Sequence, residues 1–264
     1  MKKRKNKVSA FLSLFIVLSL SYSLPFENIE SFNQDEMEIY LKNAEVISIE
    51  RDLELGRTNF WTITLNDGNK ERKAIFKHVN RPRPLLLPDC YKYEIAAYQL
   101  NKILGLNVVP PVVERKINHY TGSVQLLIEK AMTDRDRKMR GIEPENPDEF
   151  KNDLDIINIF EILVYDQCRD SSDTLIQLDK WKVWRVDFSE AFSPSTLIFN
   201  DCQIQRCSRI LYNRILALAN NQLEKELDTY LNKNEINALL ERKHMIIKTI
   251  KHLIKQKGED QVLF

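Results

Sequence analysis

The apolar residues of this chain change period part-way along, and that change limits the folds open to it. "FWTITL" (60–65) alternates as a half-buried strand does and is rich in aromatic and β-branched residues. "NDGN" follows, with Asp67-Gly68 as a hairpin turn, and "RKAIFKHV" (72–79) is the predicted return strand. "NVVPPVVERKI" and "SVQLLIEKAM" predict two further strands. One helix stands between the pairs. In "YKYEIAAYQLNKILGL", Ala96, Leu100, Ile103 and Leu104 share a face, with Asp89 as the expected N-cap and Gly105 as the expected stop. The proline-broken "RPRPLLLPD" ahead of it reads as a loop. Residues 45–130 therefore predict a small antiparallel sheet with one helix packed on it.

After Ala131 the period lengthens. "TDRDRKMRGIEPENPDEF" reads as a long charged linker or loop, its run from Asp134 to Arg140 as a solvated stretch. "LDIINIFEILVYD" is a strong helix, with Ile156, Ile157, Phe160, Leu163 and Val164 on one stripe, apolar enough to be central in a second lobe. "DTLIQL" and "WKVWRVDF" are short strands about a turn near Asp179-Lys180. The tail from Ser208 to Lys257 is expected to be helical throughout, with Gly258 as its stop. No internal repeat is evident. At 264 residues, 43% hydrophobic and 29% charged, the chain suits one large domain or two lobes around a sizeable core.

The first residues call for separate treatment. "MKKRKNK" is a basic n-region, "VSAFLSLFIVLSLSYSL" an uncharged apolar h-region, and Ser21 and Ser23 are small residues suited to a cleavage site. Residues 1–23 are expected to be a secretory signal peptide, followed by a polar, loose leader over 24–44. The protein is then secreted or periplasmic; an uncleaved segment would instead make an N-terminal membrane anchor. Without residues 1–23 the chain has 34 basic and 38 acidic residues, a net charge of −4. That balance offers no electrostatic case for nucleic acid as a partner. Export permits disulfides, and Cys90, Cys168, Cys202 and Cys207 allow three full pairings. Cys202 and Cys207 are close enough in sequence for a small one. No Cys-x-x-Cys occurs and the four histidines lack ligand spacing, which argues against zinc.

Two halves of a site stand out. The first half offers a strand ending in Lys77 and a helix bearing Glu94; the second offers an acidic turn after a helix, then a hairpin ending at Asp187. The blocks "KAIFK", "YKYEIAAYQLNKILGLNVVPPVVER", "SVQLLIEKAM", "WKVWRVDFSEAF", "YLNKNEINALLERK" and "KGEDQVLF" resemble, in this order, those of the protein-kinase-like superfamily. The resemblance is to a bacterial protein-kinase-like group similar to the secretory-pathway (Golgi casein) kinases, with phosphoinositide-type kinases as more distant kin. It spans nearly all of residues 50–264. It implies an α+β, two-lobed fold: a small lobe of sheet and helix C over 45–130, and a mainly helical large lobe over 131–264.

Phosphoryl transfer is mostly positioning and charge neutralisation. The resemblance implies ATP as nucleotide, Mg²⁺ or Mn²⁺ as metal, and an acceptor bearing a hydroxyl, on a protein or a small molecule. Lys77 and Glu94 correspond to the phosphate-clamping ion pair, and Asp187 to the metal-holding aspartate that follows the last strand. Asp173 stands where such kinases place a metal-ligating asparagine, and aspartate is also a hard oxygen donor. Glu129 falls at the hinge. Gly56 is the one glycine of "ELGRTNFW", where many kinases carry a fuller glycine pattern, so the phosphate cradle is reduced.

Position 168 departs from the family. Its aspartate, followed by arginine, takes the proton of the acceptor hydroxyl; here the pair is Cys168-Arg169. A thiol replaces a carboxylate base only if its pKa is depressed. Asp166, Asp170 and Asp173 around it raise that pKa, whereas a bound metal lowers it. Asp166 and Asp170 are the alternative bases. An ATP-dependent kinase of reduced rate and a catalytically dead pseudokinase serving as a binding or allosteric module both stay open, with nucleotidyl transfer as a third reading. Trp181, Trp184 and Phe188 are expected to pack in the core.

Overall fold

Helix α1 (Gln34–Asn43) opens the part of the chain that the computed structural model describes, residues 33–51, 60–82, 88–166, 170–196 and 203–264. The expected signal segment, Gly56, Cys168 with Arg169, and Cys202 fall outside those residues. The leader expected over 24–44 is, from Gln34 on, this helix. Asn33 caps it, Met37 and Leu41 are buried, and Tyr40 donates its hydroxyl to the carbonyls of Leu65 (2.6 Å) and Lys70 (2.9 Å).

The small-lobe sheet is built from β1 (Glu45–Arg51), β2 (Phe60–Asn66) and β3 (Glu71–Lys77). After the two-residue strands β4 (Asn80–Arg81) and β5 (Asp89–Cys90), helix α2 (Tyr91–Ile103) crosses, and β6 (Val112–Ile117) and β7 (Tyr120–Leu126) complete it. The order is β1-β2-β3-β7-β6, antiparallel throughout. The β2–β3 hairpin forms as expected, with Asp67 Oδ1 accepting the backbone N–H of Asn69 and Lys70. Register puts Trp61, Ile63, Phe76, Ala74, Val124 and Leu126 on one buried face. Lys77 opposite Ser123 and Ile75 opposite Gln125 then lie on the other face. The stretch "NVVPP" lies outside β6, because its prolines cannot donate to the ladder.

The large lobe begins with β8 (Ala131–Thr133), α3 (Asp134–Met139) and α4 (Pro147–Val164), continuing through β9 (Thr174–Gln177) and β10 (Lys182–Arg185). The single strand expected over "SVQLLIEKAM" is thus two, β7 and β8, in different sheets. The charged run from Asp134 is a helix rather than a loop. Thr133 caps it, and Arg137 turns inward to pair with Asp134 at 2.7 Å over the Phe150 ring. Asn146 caps α4 with Pro147 in its first turn, and the helix stops at Tyr165 in a left-handed conformation. β8, β9 and β10 form a second sheet with β9 central.

The tail is not one run of helix but α5 (Arg209–Ala217), α6 (Asn220–Leu227), α7 (Lys233–Lys257) and α8 (Glu259–Val262). Asn232 and Glu235 make a reciprocal capping box at the head of α7, and Gly258 ends it with φ 88°. From α7, the fully buried Arg242 donates to the carbonyls of Leu163 (2.9 Å), Ser193 (3.0 Å) and Ser195 (2.7 Å), joining the end of α4 to the chain beyond β10. One continuous apolar core takes in α2 together with α4, α5, α6, α7 and β10. Helix α2 therefore packs on the helices that follow β7 as well as on its own sheet. No described helix is long and apolar enough to cross a membrane.

Candidate functional site

Lys77 is the last residue of β3, and its backbone is tightly enclosed. A Cβ on Gly122 of β7 would stand 2.2 Å from the Lys77 carbonyl oxygen, so a side chain at 122 would push the strand end away. The Lys77 side chain is buried, with Nζ 2.6 Å from Glu94 Oε1 and 2.7 Å from Asp187 Oδ1. Burial alone would lower its pKa; Glu94 first and Asp187 second outweigh that, and the ammonium is held above its ordinary value.

Glu94 sits in the first turn of α2, where the positive end of a helix favours a carboxylate. Its second oxygen accepts the backbone N–H of Phe188 at 3.1 Å. Burial pushes Glu94 up and Asp187 adds to this, while Lys77 and the Phe188 N–H work against it. The helix cap is Cys90, which makes no side-chain cap bond. Asp89, expected in that role, lies one residue earlier in β5. Instead the Cys90 N–H donates to Ser189 O at 2.8 Å and the Tyr91 N–H to Val79 O at 2.8 Å, so backbone bonds seat this end of the helix.

Asp187 follows β10 by two residues and has φ 65°, a region that Asp tolerates better than bulkier residues. Buried Phe188 beside it packs edge-on against Phe160 of α4 and anchors the turn. The Asp187 side chain itself is 44% exposed. Its Oδ1 takes Lys77 and the Ser189 hydroxyl (3.3 Å); Oδ2 has no hydrogen bond among the described residues. Burial would raise its pKa, but Lys77 and then Arg185 hold the carboxyl below its usual range. The result is an ionised carboxylate with one oxygen to offer.

Asp173 precedes β9, and its carbonyl accepts the N–H of Val186 at 3.0 Å, which fixes it alongside the approach to Asp187. Its side-chain oxygens are lightly engaged, Oδ2 at 3.5 Å from Arg185 Nη1 and Oδ1 at 3.4 Å from the Ser172 hydroxyl. Burial, with Asp187, Asp166 and Asp170 adding to it against Arg185, pushes its pKa up to about 6.

Arg185 is a charged residue of this cluster that the sequence reading missed. Completely buried, it places Nε 2.6 Å from Glu161 Oε1 and Nη2 2.5 Å from Asp166 Oδ2. Asp166 is therefore committed to a buried arginine, which takes it out of the role of alternative base. Asp170 is exposed and pairs with Arg135, and its pKa is lowered by the Ser172 N–H. The sequence signal for Arg185 was a cation two residues before Asp187, in a strand whose neighbours Val183 and Trp184 are apolar and buried.

The remaining sequence-predicted residues fall outside the cluster. Glu129 is exposed in the connector between β7 and β8. Trp184 and Phe188 are core residues as expected, and Trp181 lies edge-on to Phe150. Cys90 and Cys207 are buried free thiols, raised by burial (Cys207 to about 12), which makes them poor nucleophiles. Among the described residues no group of three His, Cys, Asp or Glu side chains is placed to hold a metal. The carboxylates of Asp173 and Asp187 are hard oxygen donors, the kind that Mg²⁺ takes together with phosphate and water.

No protein-family model matches the chain, and no curated protein matches it in sequence. Solved structures match it in fold. The structure of hydra Fam20 with sugar superimposes with a TM-score of 0.65 at 17% identity, covering 87% of this chain and 91% of that one. The Helicobacter pylori proinflammatory kinase CtkA gives a TM-score of 0.50 at 12% identity, over 83% of this chain and 97% of that one. At such identities the likeness is one of architecture: this chain has the two-lobed, α+β, protein-kinase-like fold.

Proposed function

We propose that this protein binds ATP with a divalent cation at the Lys77–Glu94–Asp187 cluster and transfers a phosphoryl group to a hydroxyl acceptor outside the cytoplasm. The observation that carries the reading is Lys77 Nζ held between Glu94 Oε1 and Asp187 Oδ1 at 2.6 and 2.7 Å, by residues from three separate elements. Desolvation offsets most of the Coulombic gain of a buried ion pair, so stability is a poor account of this one and a functional role a better one. Glu94 fixes the ammonium in place, and Asp187, the more exposed partner, is the one free to turn away. Lys77 would then face phosphate while Glu94 keeps it oriented.

Asp187 and Asp173 would hold Mg²⁺ or Mn²⁺, which supplies neutralisation of phosphate charge. Glu129 and Gly56 are the proposed contacts at the hinge and over the phosphates. The basic, apolar N-terminal segment supports export, with membrane attachment only if that segment stays uncleaved. Cys168 in place of a carboxylate base implies a slow enzyme, since general-base assistance contributes roughly 10²–10⁴ in rate.

A second reading, a pseudokinase that binds nucleotide without transfer, is favoured by one observation. Asp166, the buried carboxylate nearest position 168 in sequence among the described residues, is engaged by Arg185. Incubation with γ-labelled ATP and Mn²⁺ or Mg²⁺, beside the Asp187→Ala variant, separates the two. Label transfer that disappears in the variant supports the enzyme. Equal transfer in both removes this site. A thermal shift with ATP and Mn²⁺ but no transfer supports the binding module.

A further inference from the structure

Arg185 lies against Asp173, one of the two carboxylates proposed to hold metal, and lowers the pKa of the other, Asp187. It is the last residue of β10 and has no exposed surface. Nε lies against Glu161, Nη2 against Asp166, and Nη1 against Asp173 at 3.5 Å, with a further bond from Nη1 to the Val186 carbonyl at 3.0 Å. Its backbone N–H donates to Val108 O at 2.7 Å. A guanidinium does not lose its proton in a protein, so this is a permanent positive charge at a fixed point.

Arg185 bears on how many divalent ions such a centre can take, because its Nη1 stands 3.5 Å from Asp173 Oδ2. By position Asp173 would carry a second ion, yet its Oδ2 already faces the guanidinium. An ion placed on that oxygen would lie beside a like charge that cannot move and is poorly screened, because the arginine is buried. Asp187 Oδ2, which has no hydrogen bond among the described residues, meets no such obstacle.

We infer that this centre takes one divalent ion with its nucleotide rather than two, because Arg185 supplies the second positive charge as part of the chain. Asp187 would hold that ion and Asp173 would assist it. The inference rests on the nucleotide-and-metal reading above. It makes Arg185 a positioning residue: it neutralises Asp166 and Asp173 without touching the reacting atoms.

The test is a count. Mn²⁺ is titrated into the full chain saturated with a non-hydrolysable ATP analogue, and bound ions are counted by calorimetry and by electron paramagnetic resonance. One ion per chain, with the six-line spectrum of an isolated Mn²⁺, is expected. Two ions, or the broadened spectrum of a coupled pair, overturn the inference while leaving the proposed function intact. No binding of nucleotide or ion removes the proposed function, and this inference with it. The Arg185→Met variant, checked for its fold by near-ultraviolet circular dichroism, should gain a second ion. If it folds and still holds one, Arg185 is not the cause and the inference fails. Should the variant not fold, the wild-type count still decides.

Discussion

Tyr93 of α2 donates its hydroxyl to Glu235 Oε1 at the head of α7, across 2.6 Å and 142 residues of sequence. The same glutamate caps its own helix through Oε2 to the Asn232 N–H, so one buried carboxylate seats two helices. Other ties hold α2 from different sides. Tyr91 bonds Glu114 of β6, Tyr98 and Lys102 bond Glu38 of α1, and Arg214 of α5 bonds the carbonyls of Leu104 and Gly105. The helix that presents Glu94 to Lys77 is therefore fixed to both lobes.

Replacing Tyr93 with Phe keeps the ring, which packs near Phe192, and removes the donor to a buried carboxylate. Hydrogen bonds to charged groups contribute roughly 1.5–3 kcal/mol, and that loss of stability is expected on urea unfolding. A change below about 0.5 kcal/mol, within the usual range for surface substitutions, would mean that α2 is held by apolar packing alone.

Lys77→Met leaves Glu94 buried against nothing positive. Removing one member of a buried pair costs roughly 3–5 kcal/mol, and most of the cost falls on Glu94, since Asp187 is open to water. The double variant Lys77→Met, Glu94→Leu should recover much of the loss, because it removes the stranded charge too. Denaturant midpoints of the two variants read this directly. If the double variant is no more stable than the single one, the ion pair is not what Glu94 contributes.

Leu41→Ala tests helix α1. Leu41 is fully buried, and truncation of such a leucine costs roughly 2–5 kcal/mol; a residue in a loose leader would cost nothing. Thermal and urea unfolding measure it. A wild-type midpoint would return this segment to the status of a leader.

That segment also shows where sequence reading runs out. The β2–β3 hairpin, α2 and α4 were legible because each carries its own signal: an alternating run with a turn, or an apolar stripe of four or five residues. Lys77, Glu94 and Asp187 were legible as an ordered set of blocks, and the structure brings their side chains together. Helix α1 buries only Met37 and Leu41, and its fixings are polar groups far along the chain, such as Tyr98 and Arg115. Arg185 was hidden for a like reason. A strand arginine is ordinarily a solvated residue, and only the fold brings Glu161, Asp166 and Asp173 around it.

Asp173 predicts opposite pH trends for the free and the metal-bound protein. Its pKa stands at about 6, above an ordinary carboxyl. Between the ordinary value and 6 Asp173 holds more protons in the folded state than in the unfolded one, so its own contribution to metal-free stability falls as pH rises through that window. Metal needs the ionised carboxylate, so affinity rises over the same window and levels off above 6, by at most about tenfold per pH unit. Mn²⁺ titrations and urea melts from pH 4.5 to 7.5 should show both slopes, and Asp173→Asn should flatten both. Metal affinity that is flat with pH in the wild type would exclude Asp173 as a ligand.

Position 168 offers the sharpest test of whether the chain is an impaired enzyme or a binding module. The fold supplies the lysine, its glutamate partner and the exposed aspartate, while the proposed function assigns Cys168 to the position of the acceptor's base. Asp166 cannot replace it without giving up its 2.5 Å pairing with Arg185. Cys168→Asp should therefore raise phosphoryl transfer to a hydroxyl acceptor by roughly 10²–10⁴, the usual contribution of a general base. Nucleotide affinity, measured by thermal shift, should change little, because the base does not hold ATP. A gain in rate at constant affinity marks a kinase missing one group. If the variant folds, binds nucleotide as before and shows no faster transfer, the missing base is not what limits the reaction, and the binding module becomes the better account.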